Sequence, residues 1–402
     1  MLSSRARLNR KQTTPMSNRP AHILPVIVAS QFAGTSLWFA GNAVLGDLQR
    51  EWGLAPEVLG YVTSAVQLGF ICGTLIFAFF AVADRYSPRL VFLLCALAGA
   101  TANLGVLAAD GSLAPLLVCR FATGFFLAGI YPVGMKIAAG WYRTGLGNAL
   151  GFLVGALVLG TAFPHLLKAL GQSWPWELVL TGVSLIAAGG GLLMYLLVPD
   201  GPNLGKGTRF DPRALAAVFA SKGFRASAFG YFGHMWELYA FWAFVPVVLA
   251  ARAAEFNVPL WSFIVIAVGT LGCIIGGRMS LRAGSARVAF AQLAASGICC
   301  FISPLLLLAP PAIMLAFLVF WGIAVVGDSP QFSALNAANA PQGSVGSALT
   351  IANCIGFAIT IGSIQLLNAA AGRLPVEYLF VLLAPGPVLG LLALRPLLRA
   401  KP

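Results

Sequence analysis

The sequence predicts an all-α membrane protein whose twelve membrane-spanning helices form two six-helix bundles. Three observations predict this fold: an apolar composition, twelve apolar runs long enough to cross a bilayer, and an internal repeat that divides the chain in two. Of the 402 residues, 59% are hydrophobic and only 9% are charged, and the mean hydropathy is +0.87. Soluble domains carry about 25% charged residues, so this composition excludes an ordinary soluble enzyme and a disordered chain.

Each predicted span is a run of about 20 or more mainly apolar residues, the length needed to cross the hydrocarbon core. The runs cover residues 22–45, 56–81, 89–109, 113–138, 145–168, 176–198, 225–249, 258–280, 286–308, 311–338, 343–369 and 375–395. Polar segments predict a disordered basic N-terminal tail at 1–21, a cytoplasmic linker at 199–224 and a cytoplasmic tail at 396–402. The two bundles are therefore expected at 22–198 and 225–395.

The basic residues predict the orientation of the spans. The chain has 25 Lys and Arg against 12 Asp and Glu, a net charge of +13. With the N-terminus inside, 20 of the 25 basic residues fall in inner tails and loops, 4 fall outside and Arg120 lies within a span. The positive-inside rule predicts a multi-pass protein of the plasma (inner) membrane with both termini cytoplasmic. Because this distribution accounts for the positive charge, we expect no nucleic-acid partner.

The two halves of the chain repeat at a nearly constant offset. Five matches fall 197–200 residues apart: Trp38 with Trp236, Arg85 with Arg282, GIYP at 129–132 with GDSP at 327–330, GNAL at 147–150 with GSAL at 346–349, and WPWE at 174–177 with LPVE at 374–377. Six spans per copy is an even number, so both copies cross the membrane in the same direction. We therefore predict a parallel pseudo-two-fold repeat about an axis along the membrane normal.

Ionisable side chains inside the spans are the first functional candidates, because a charge at the centre of a membrane helix costs about 2.5–3.5 kcal/mol on insertion scales. Glu237 lies at the middle of the seventh span, and His234 lies three residues earlier on the same helical face. Since an apolar environment favours the neutral form of a carboxylate, Glu237 is a candidate for proton coupling or cation binding. The alternatives are a structural hydrogen-bonded carboxylate and a packing histidine.

The tenth span contains a second candidate, Asp328, in the sequence GDSP. Pro330 is predicted to interrupt the helix there, and Gln331 lies on the same face as Asp328. The matching GIYP in the fourth span contains Tyr131. Paired Gly/Pro interruptions at corresponding places indicate a transporter's binding site, so these side chains are candidates for substrate or proton binding. A kink with a capping aspartate is the alternative for Asp328.

Four further residues complete the candidate site. Arg120 in the fourth span is a candidate to pair with a carboxylate or to attract an anionic substrate, with an interhelical ion pair as the alternative. Trp38 and Asn42 in the first span, and Tyr239 in the seventh, are candidate stacking and polar groups, with helix packing as the alternative.

The chain resembles the major facilitator superfamily over nearly its whole length. The loop between the second and third spans, FAVADRYSPR, is similar to the family's G-x-L-A-D-R-x-G-R-[RK] motif at Asp84, Arg85 and Arg89. The equivalent loop of the second half, GRMSLRAGSA, keeps Arg282 but has Leu281 where the aspartate would be. The resemblance implies that these loops gate the inner side of the protein.

The fourth span strengthens the resemblance, because Arg120, Gly124 and Ala128 look like the family's R-x-x-x-G-x-x-x-A motif. The resemblance implies a role for Arg120 in proton coupling. It also implies that the first, fourth, seventh and tenth helices line a central cavity, and the candidate site residues lie on those four helices.

These observations predict a secondary active transporter that moves a small organic solute by alternating access and is coupled to protons. An uncoupled facilitator (uniporter) and a non-transport membrane receptor or enzyme remain as alternatives. We expect a monomer in the lipid bilayer, without cofactor or enzyme activity. The seven cysteines lie in apolar runs without metal-ligand spacing, so no metal site is expected.

Overall fold

A computed structural model of the chain describes residues 20–142, 146–171, 173–204, 218–341 and 344–399. These residues contain twelve helical spans long and apolar enough to cross a membrane: α1 Ile23–Trp52, α2 Val58–Phe79, α3 Pro88–Ala108, α4 Leu113–Trp141, α5 Gly147–Leu170, α6 Trp176–Leu197, α7 Lys222–Arg252, α8 Val258–Ala283, α9 Ser285–Leu306, α10 Pro311–Asn339, α11 Val345–Ala370 and α12 Val376–Arg399. The described residues include no β-strand, only a single bridge between Ala371 and Leu374. The prediction of an all-α membrane protein with twelve spans is confirmed. Most of the predicted N-terminal tail, half of the predicted linker and the last three residues lie outside the described residues.

Several spans are built from two helices rather than one. The pairs are Ile23–Thr35 and Ala40–Trp52 in α1, Leu113–Leu127 and Tyr131–Trp141 in α4, Val258–Ala267 and Gly269–Ala283 in α8, and Pro311–Gly327 and Ser329–Asn339 in α10. The predicted interruptions at GIYP and GDSP are therefore confirmed. Pro132 and Pro330 lie in the first turn of the second helix of their spans, where the missing N–H removes no helical hydrogen bond.

The break in α1 has a local cause that the sequence analysis did not identify. The hydroxyl of Thr35 donates to the carbonyl of Gln31 at 2.8 Å, and the hydroxyl of Ser36 donates to that of Ala33 at 2.6 Å. Such side-chain bonds compete with the backbone ladder of a helix. The chain consequently leaves the helix after Thr35 and resumes it at Ala40.

The spans of the two halves begin at equivalent positions. The starts of α1–α6 and α7–α12 differ by 197–200 residues, in agreement with the offset of the sequence matches. Equivalent glycines also make equivalent contacts: Gly124 of α4 lies against the carbonyl of Val66, and Gly322 of α10 lies against the carbonyl of Val265. Small residues permit this close approach of helix backbones. The structure therefore confirms the parallel repeat of two bundles.

One predicted boundary needs correction. The first span continues seven residues beyond the predicted end at 45, because Leu48 keeps a buried apolar face on the helix while Arg50 and Glu51 face outwards. Gly53, with a φ of 63°, ends this helix in the left-handed conformation. The seventh span begins at Lys222, three residues before the predicted start, where the hydroxyl of Ser221 caps it by accepting from the N–H of Phe224 at 3.3 Å. The other span ends agree with the prediction to within four residues.

Both described ends of the chain lie on the same face of the protein as the linker. An even number of spans separates them, and the ring of His22, just before α1, lies 3.3 Å from the carbonyl of Leu197 at the end of α6. This face is termed the linker side, and the other face is termed the opposite side.

Candidate functional site

The two bundles meet at mid-depth in six buried aromatic side chains, here termed the aromatic cluster: Trp38, Phe39, Phe70, Tyr239, Trp242 and Phe357. The ring of Trp38 stacks on Tyr239 with 5.7 Å between centroids and on Phe357 with 5.5 Å. Phe39 contacts Trp242 edge-on at 6.3 Å. Because Trp38 and Phe39 lie in the break of α1, that break is what presents both rings to the second bundle. The predicted site residues Trp38 and Tyr239 are thus brought together.

Between this cluster and the opposite side, α2 and α11 are held together by amide side chains. Gln365 donates to the hydroxyl of Ser64 at 2.8 Å and to the carbonyl of Gly60 at 3.0 Å. Asn368 donates to the carbonyl of Glu57 at 3.0 Å. These bonds join the two bundles where α2 begins and α11 ends. The protein is therefore closed at this pair of helices on the opposite side.

Towards the linker side, α5 and α8 diverge. Thr270 of α8 donates to the carbonyl of Gly155 of α5 at 3.0 Å. Gly151 and Gly147 follow at four-residue spacing on the same face of α5, nearer the linker side. No described atom lies within 4 Å of the position that a Cβ would occupy on either glycine. The bundles thus contact each other more closely at mid-depth than at this place on the linker side.

A second candidate feature lies inside the second bundle, and we term it the carboxylate cluster: His234, Glu237, Ser296, Trp321 and Asp328. Nδ1 of His234 lies 2.8 Å from Oδ1 of Asp328, and both side chains are 1% exposed. Asp328 is the residue at which α10 changes from its first to its second helix. This contact therefore connects the middle of α7 to the break of α10.

Glu237 is held by donors from two neighbouring helices. Its Oε1 accepts from the hydroxyl of Ser296 on α9 and from the indole N–H of Trp321 on α10, the latter at 2.9 Å. The thiol of Cys300 lies 3.5 Å from the same oxygen. The carboxylate consequently faces the interior of the second bundle rather than the interface between the bundles. Ser296 and Trp321 were not predicted as partners, because one serine and one tryptophan in apolar runs give no distinctive signal in the sequence.

The carboxylate cluster can hold and exchange protons. Neither ring nitrogen of His234 and neither carboxylate oxygen of Asp328 makes a hydrogen bond of good geometry among the described residues, although Nδ1 and Oδ1 lie 2.8 Å apart. A histidine and a carboxylate in contact can share one proton or bind a second one, which changes the charge of the pair. The cluster therefore has the chemistry that proton coupling requires.

Arg120 does not contact a carboxylate among the described residues; it holds the break of α1. Its guanidinium donates to the carbonyl of Trp38 at 2.6 Å, to that of Leu37 at 3.2 Å and to Oδ1 of Asn103 at 3.1 Å. Arg120 is fully buried, and Gly41 leaves room for it, since a Cβ there would lie 2.9 Å from its Nε. A cation at the end of a half-helix compensates the exposed carbonyls. The interhelical ion pair considered from the sequence is not observed among these residues.

The remaining predicted site residues lie at separate places. Asn42 donates to the hydroxyl of Thr63 on α2 at 2.7 Å. Tyr131 is half-buried at the start of the second helix of α4. Gln331 is buried, one turn beyond Asp328. The structure therefore places Asn42 beside the aromatic cluster and Gln331 beside the carboxylate cluster.

The predicted gating loop contacts its own bundle. Asp84 pairs with Lys136 of α4 at 2.5 Å, and Lys136 also donates to the carbonyl of Ala83 at 2.6 Å. Arg89 donates to the carbonyl of Tyr195 at 3.3 Å and lies over its ring. Arg85 and Arg282 are exposed. Lys136 was not predicted as a partner of Asp84, although a lysine in the last third of an apolar run is a usable signal in the sequence.

Replacing Arg120 with lysine is expected to lower the melting temperature Tm by several degrees and transport by about tenfold. Lysine keeps the positive charge but lacks the guanidinium fork, so it cannot donate to both Asn103 and the carbonyls of the α1 break. The loss of one charge-assisted hydrogen bond costs about 1.5–3 kcal/mol. Thermal unfolding of the purified protein and solute uptake measure the two effects. Arg373→Lys, in the exposed turn after α11, is the matched control, and equal values for the two variants would contradict the capping role.

Comparisons with known proteins agree with this fold. The sequence model of the Major Facilitator Superfamily matches residues 26–363. The solved proton:xylose symporter XylE, bound to 6-bromo-6-deoxy-D-glucose, superposes with a TM-score of 0.74 at 13% identity, covering 93% of this chain and 95% of that chain. The human organic anion transporter MFSD10 (TETRAN) gives 0.69 at 16% identity, covering 94% and 100%. These two likenesses establish the fold alone.

One relative is similar in sequence over a shorter region. The "Putative niacin/nicotinamide transporter NiaP" of Bacillus subtilis (strain 168) is 26% identical over 170 residues, which is 40% of this chain and 40% of the length of that relative. The family match is far longer and extends from the first span into the eleventh. Together with the twelve spans in two related bundles, this match shows that the chain is a multi-pass membrane protein that belongs to the major facilitator superfamily of transporters.

Proposed function

We propose that the protein is a secondary active transporter that moves a small organic solute by alternating access and couples this movement to protons. The observation that carries the proposal is the buried contact between the ring of His234 and the carboxyl group of Asp328. Ionisable groups inside a membrane are costly and mark substrate or proton pathways. A purely structural contact between α7 and α10 would not need them, because apolar side chains pack helices at lower cost.

Protonation of Asp328 is the step that links protons to conformation in this proposal. A proton on Oδ2 neutralises the carboxylate and weakens its attraction to His234. The helix Ser329–Asn339 begins immediately after Asp328, so it can change its angle relative to α7 when this tie weakens. A coupling free energy of 1–3 kcal/mol is typical between linked sites and is enough to shift the balance between the two open states.

Glu237 is the second proton-binding group in this proposal. When charged, it accepts from Ser296 and Trp321 and so holds α7, α9 and α10 together. Its protonation removes the charge that these donors stabilise. Both carboxylates thus act within the second bundle, and their state reaches the first bundle through the packing of α7.

We place the linker side in the cytoplasm and the protein in the plasma (inner) membrane. The distribution of the basic residues supports this orientation. In it, the bonds between α2 and α11 close the outer side. The proposed path lies between the two bundles of one chain, so a monomer is sufficient.

The names of the similar proteins support a small organic solute as the cargo. They mention niacin or nicotinamide, xylose and organic anions. These differ in charge and polarity but share a small size. The solute is expected to bind between the bundles, near the side chains that join them at mid-depth.

Replacing Glu237 with glutamine is expected to reduce uptake driven by a pH gradient by at least about tenfold. Glutamine keeps the volume and can still accept from Ser296 and Trp321, but it cannot exchange a proton. Uptake into proteoliposomes, with and without a pH gradient, measures the effect. Glu255→Gln, in the exposed turn after α7, is the control. Gradient-driven uptake equal to that of the wild type would contradict the role of Glu237, and wild-type uptake that ignores the gradient would favour an uncoupled facilitator.

A further inference from the structure

We infer that the aromatic cluster is the substrate-binding site, and that its substrate is a flat heteroaromatic compound that carries an amide or acid group. This inference rests on the proposed transport function and specifies its substrate class. Aromatic packing alone accounts for the burial of the rings. It does not account for the polar atoms that are buried with them.

Two indole nitrogens in the cluster lack partners. Nε1 of Trp38 and Nε1 of Trp242 have no hydrogen-bond partner among the described residues, and both side chains are 0% exposed. An indole N–H only donates, and at least about 90% of buried polar groups in folded proteins are partnered. Two orphaned donors in one cluster therefore indicate a ligand that supplies acceptors.

Gln67 of α2 adds a donor and an acceptor at the same place. On the α2 face that meets α1, Thr63 bonds Asn42, and the ring of Phe70 lies 4.9 Å from that of Trp38. Residues three and four apart share a helix face, so Gln67 lies between these two contacts. Gln67 is fully buried, and neither of its amide atoms has a partner among the described residues. An amide on the ligand can satisfy both atoms.

The ring geometry selects a flat ligand. Trp38 of the first bundle is nearly parallel to Tyr239 and Phe357 of the second, with interplanar angles of 28° and 25°. A ring inserted between two others needs roughly 7 Å between their planes, twice the usual carbon contact distance of about 3.5 Å. Their centroids are now 5.7 and 5.5 Å apart. Binding therefore has to move the bundles apart, which links occupancy to the alternating movement.

The charge around the cluster favours an acceptor over a cation. Arg120 donates to the carbonyl of Trp38 itself, and no acidic side chain among the described residues forms an ion pair with it. Glu237 faces away, towards Ser296 and Trp321. The charged group that is bonded to the backbone of Trp38 is thus positive. A carbonyl or carboxylate on the ligand is favoured there, and a positively charged ligand is disfavoured.

Binding to the full-length protein in detergent tests this inference without any proton gradient. The flat probes are nicotinamide and nicotinate, and the comparison compounds are xylose, which has no flat ring, and choline, which is a cation. At least one flat probe is expected to raise Tm, and xylose and choline are expected to leave it unchanged. Failure of both flat probes, or an equal rise with xylose or choline, would overturn the inference.

Two variants separate hydrogen bonding from ring contact. Trp38→Phe and Trp242→Phe keep an aromatic ring but remove the N–H, and each is expected to weaken binding of the flat probe about tenfold by calorimetry, which corresponds to 1.4 kcal/mol. Trp261→Phe, which removes an indole of α8 outside the cluster, is the matched control. Wild-type affinity in both cluster variants would also overturn the inference. The Tm of each variant without ligand reports whether it is folded.

Two readouts distinguish this inference from the proposed coupling: binding of the flat probe to the protein in detergent, and uptake driven by a pH gradient. Binding by the wild type without any response of uptake to a pH gradient would reject the coupling and keep the site. If a solute is taken up in response to a pH gradient and the tryptophan variants bind it with wild-type affinity, the proposed binding site would be rejected and the coupling kept.

Discussion

Replacing Asp328 with asparagine is expected to reduce uptake driven by a pH gradient to the level of liposomes without protein. Asparagine matches the shape of aspartate, but it can neither carry the charge nor bind the proton. The contact of α10 with His234 on α7 then no longer responds to a proton on a carboxylate. Exchange of solute between the two faces at equal pH is expected to continue, because it needs the movement of the bundles but not the net transfer of a proton.

Proteoliposomes with an imposed pH gradient measure the first effect, and counterflow at equal pH measures the second. Asp110→Asn is a matched control, because Asp110 lies in the exposed loop between α3 and α4 with a φ of 45°, a conformation that asparagine also tolerates. If the Asp328 variant keeps gradient-driven uptake, the contact between His234 and Asp328 is structural. If it loses both activities while its Tm is unchanged, Asp328 acts on the movement itself rather than on coupling.

Replacing Gly124 with alanine is expected to destabilise the first bundle by about 1–3 kcal/mol, the usual cost of overpacking. The added Cβ would collide with the carbonyl oxygen of Val66. That oxygen belongs to the backbone of α2, so it cannot rotate away as a side chain would. Gly322→Ala is expected to have a similar effect on the second bundle, because Gly322 meets Val265 in the same way.

Thermal unfolding of the purified variants measures this effect. Gly46→Ala is the control: it also lies in a span, and no described atom is within 4 Å of its Cβ position. There, alanine is expected to be neutral or stabilising by up to about 1 kcal/mol, since it is the better helix former. Equal Tm values for Gly46→Ala and Gly124→Ala would show that α2 and α4 can move apart at little cost. The close packing of these helices would then contribute little to the stability of the protein.

The two clusters have separate roles in the proposed mechanism: one binds the ligand and the other binds protons. The aromatic cluster joins the bundles, so ligand binding there acts directly on their separation. The carboxylate cluster lies within the second bundle, so protonation acts on the angle of α10 relative to α7. Both depend on broken helices, because the break of α1 presents Trp38 and the break of α10 presents Asp328. A break supplies this freedom at mid-depth, where a continuous helix would be rigid.

The carboxylates illustrate what the sequence could and could not predict. Their presence in the spans, and the shared face of His234 and Glu237, follow from helical spacing alone. Their partners do not. Ser296 and Trp321 are 59 and 84 residues from Glu237 in sequence, and only the rotation of each helix within the packed bundle decides which side chains meet.

By itself, the sequence determined the twelve spans, the repeat and the breaks at GIYP and GDSP. Hydropathy and proline act locally, over a single helix, so their consequences can be deduced from the chain alone. The tertiary structure decided that Arg120 caps the break of α1, that Glu237 faces into its own bundle, and that Gln67 lies between two contacts with α1. These features depend on how helices far apart in sequence pack and rotate against each other, and apolar runs specify that a helix is buried without specifying which neighbour it contacts.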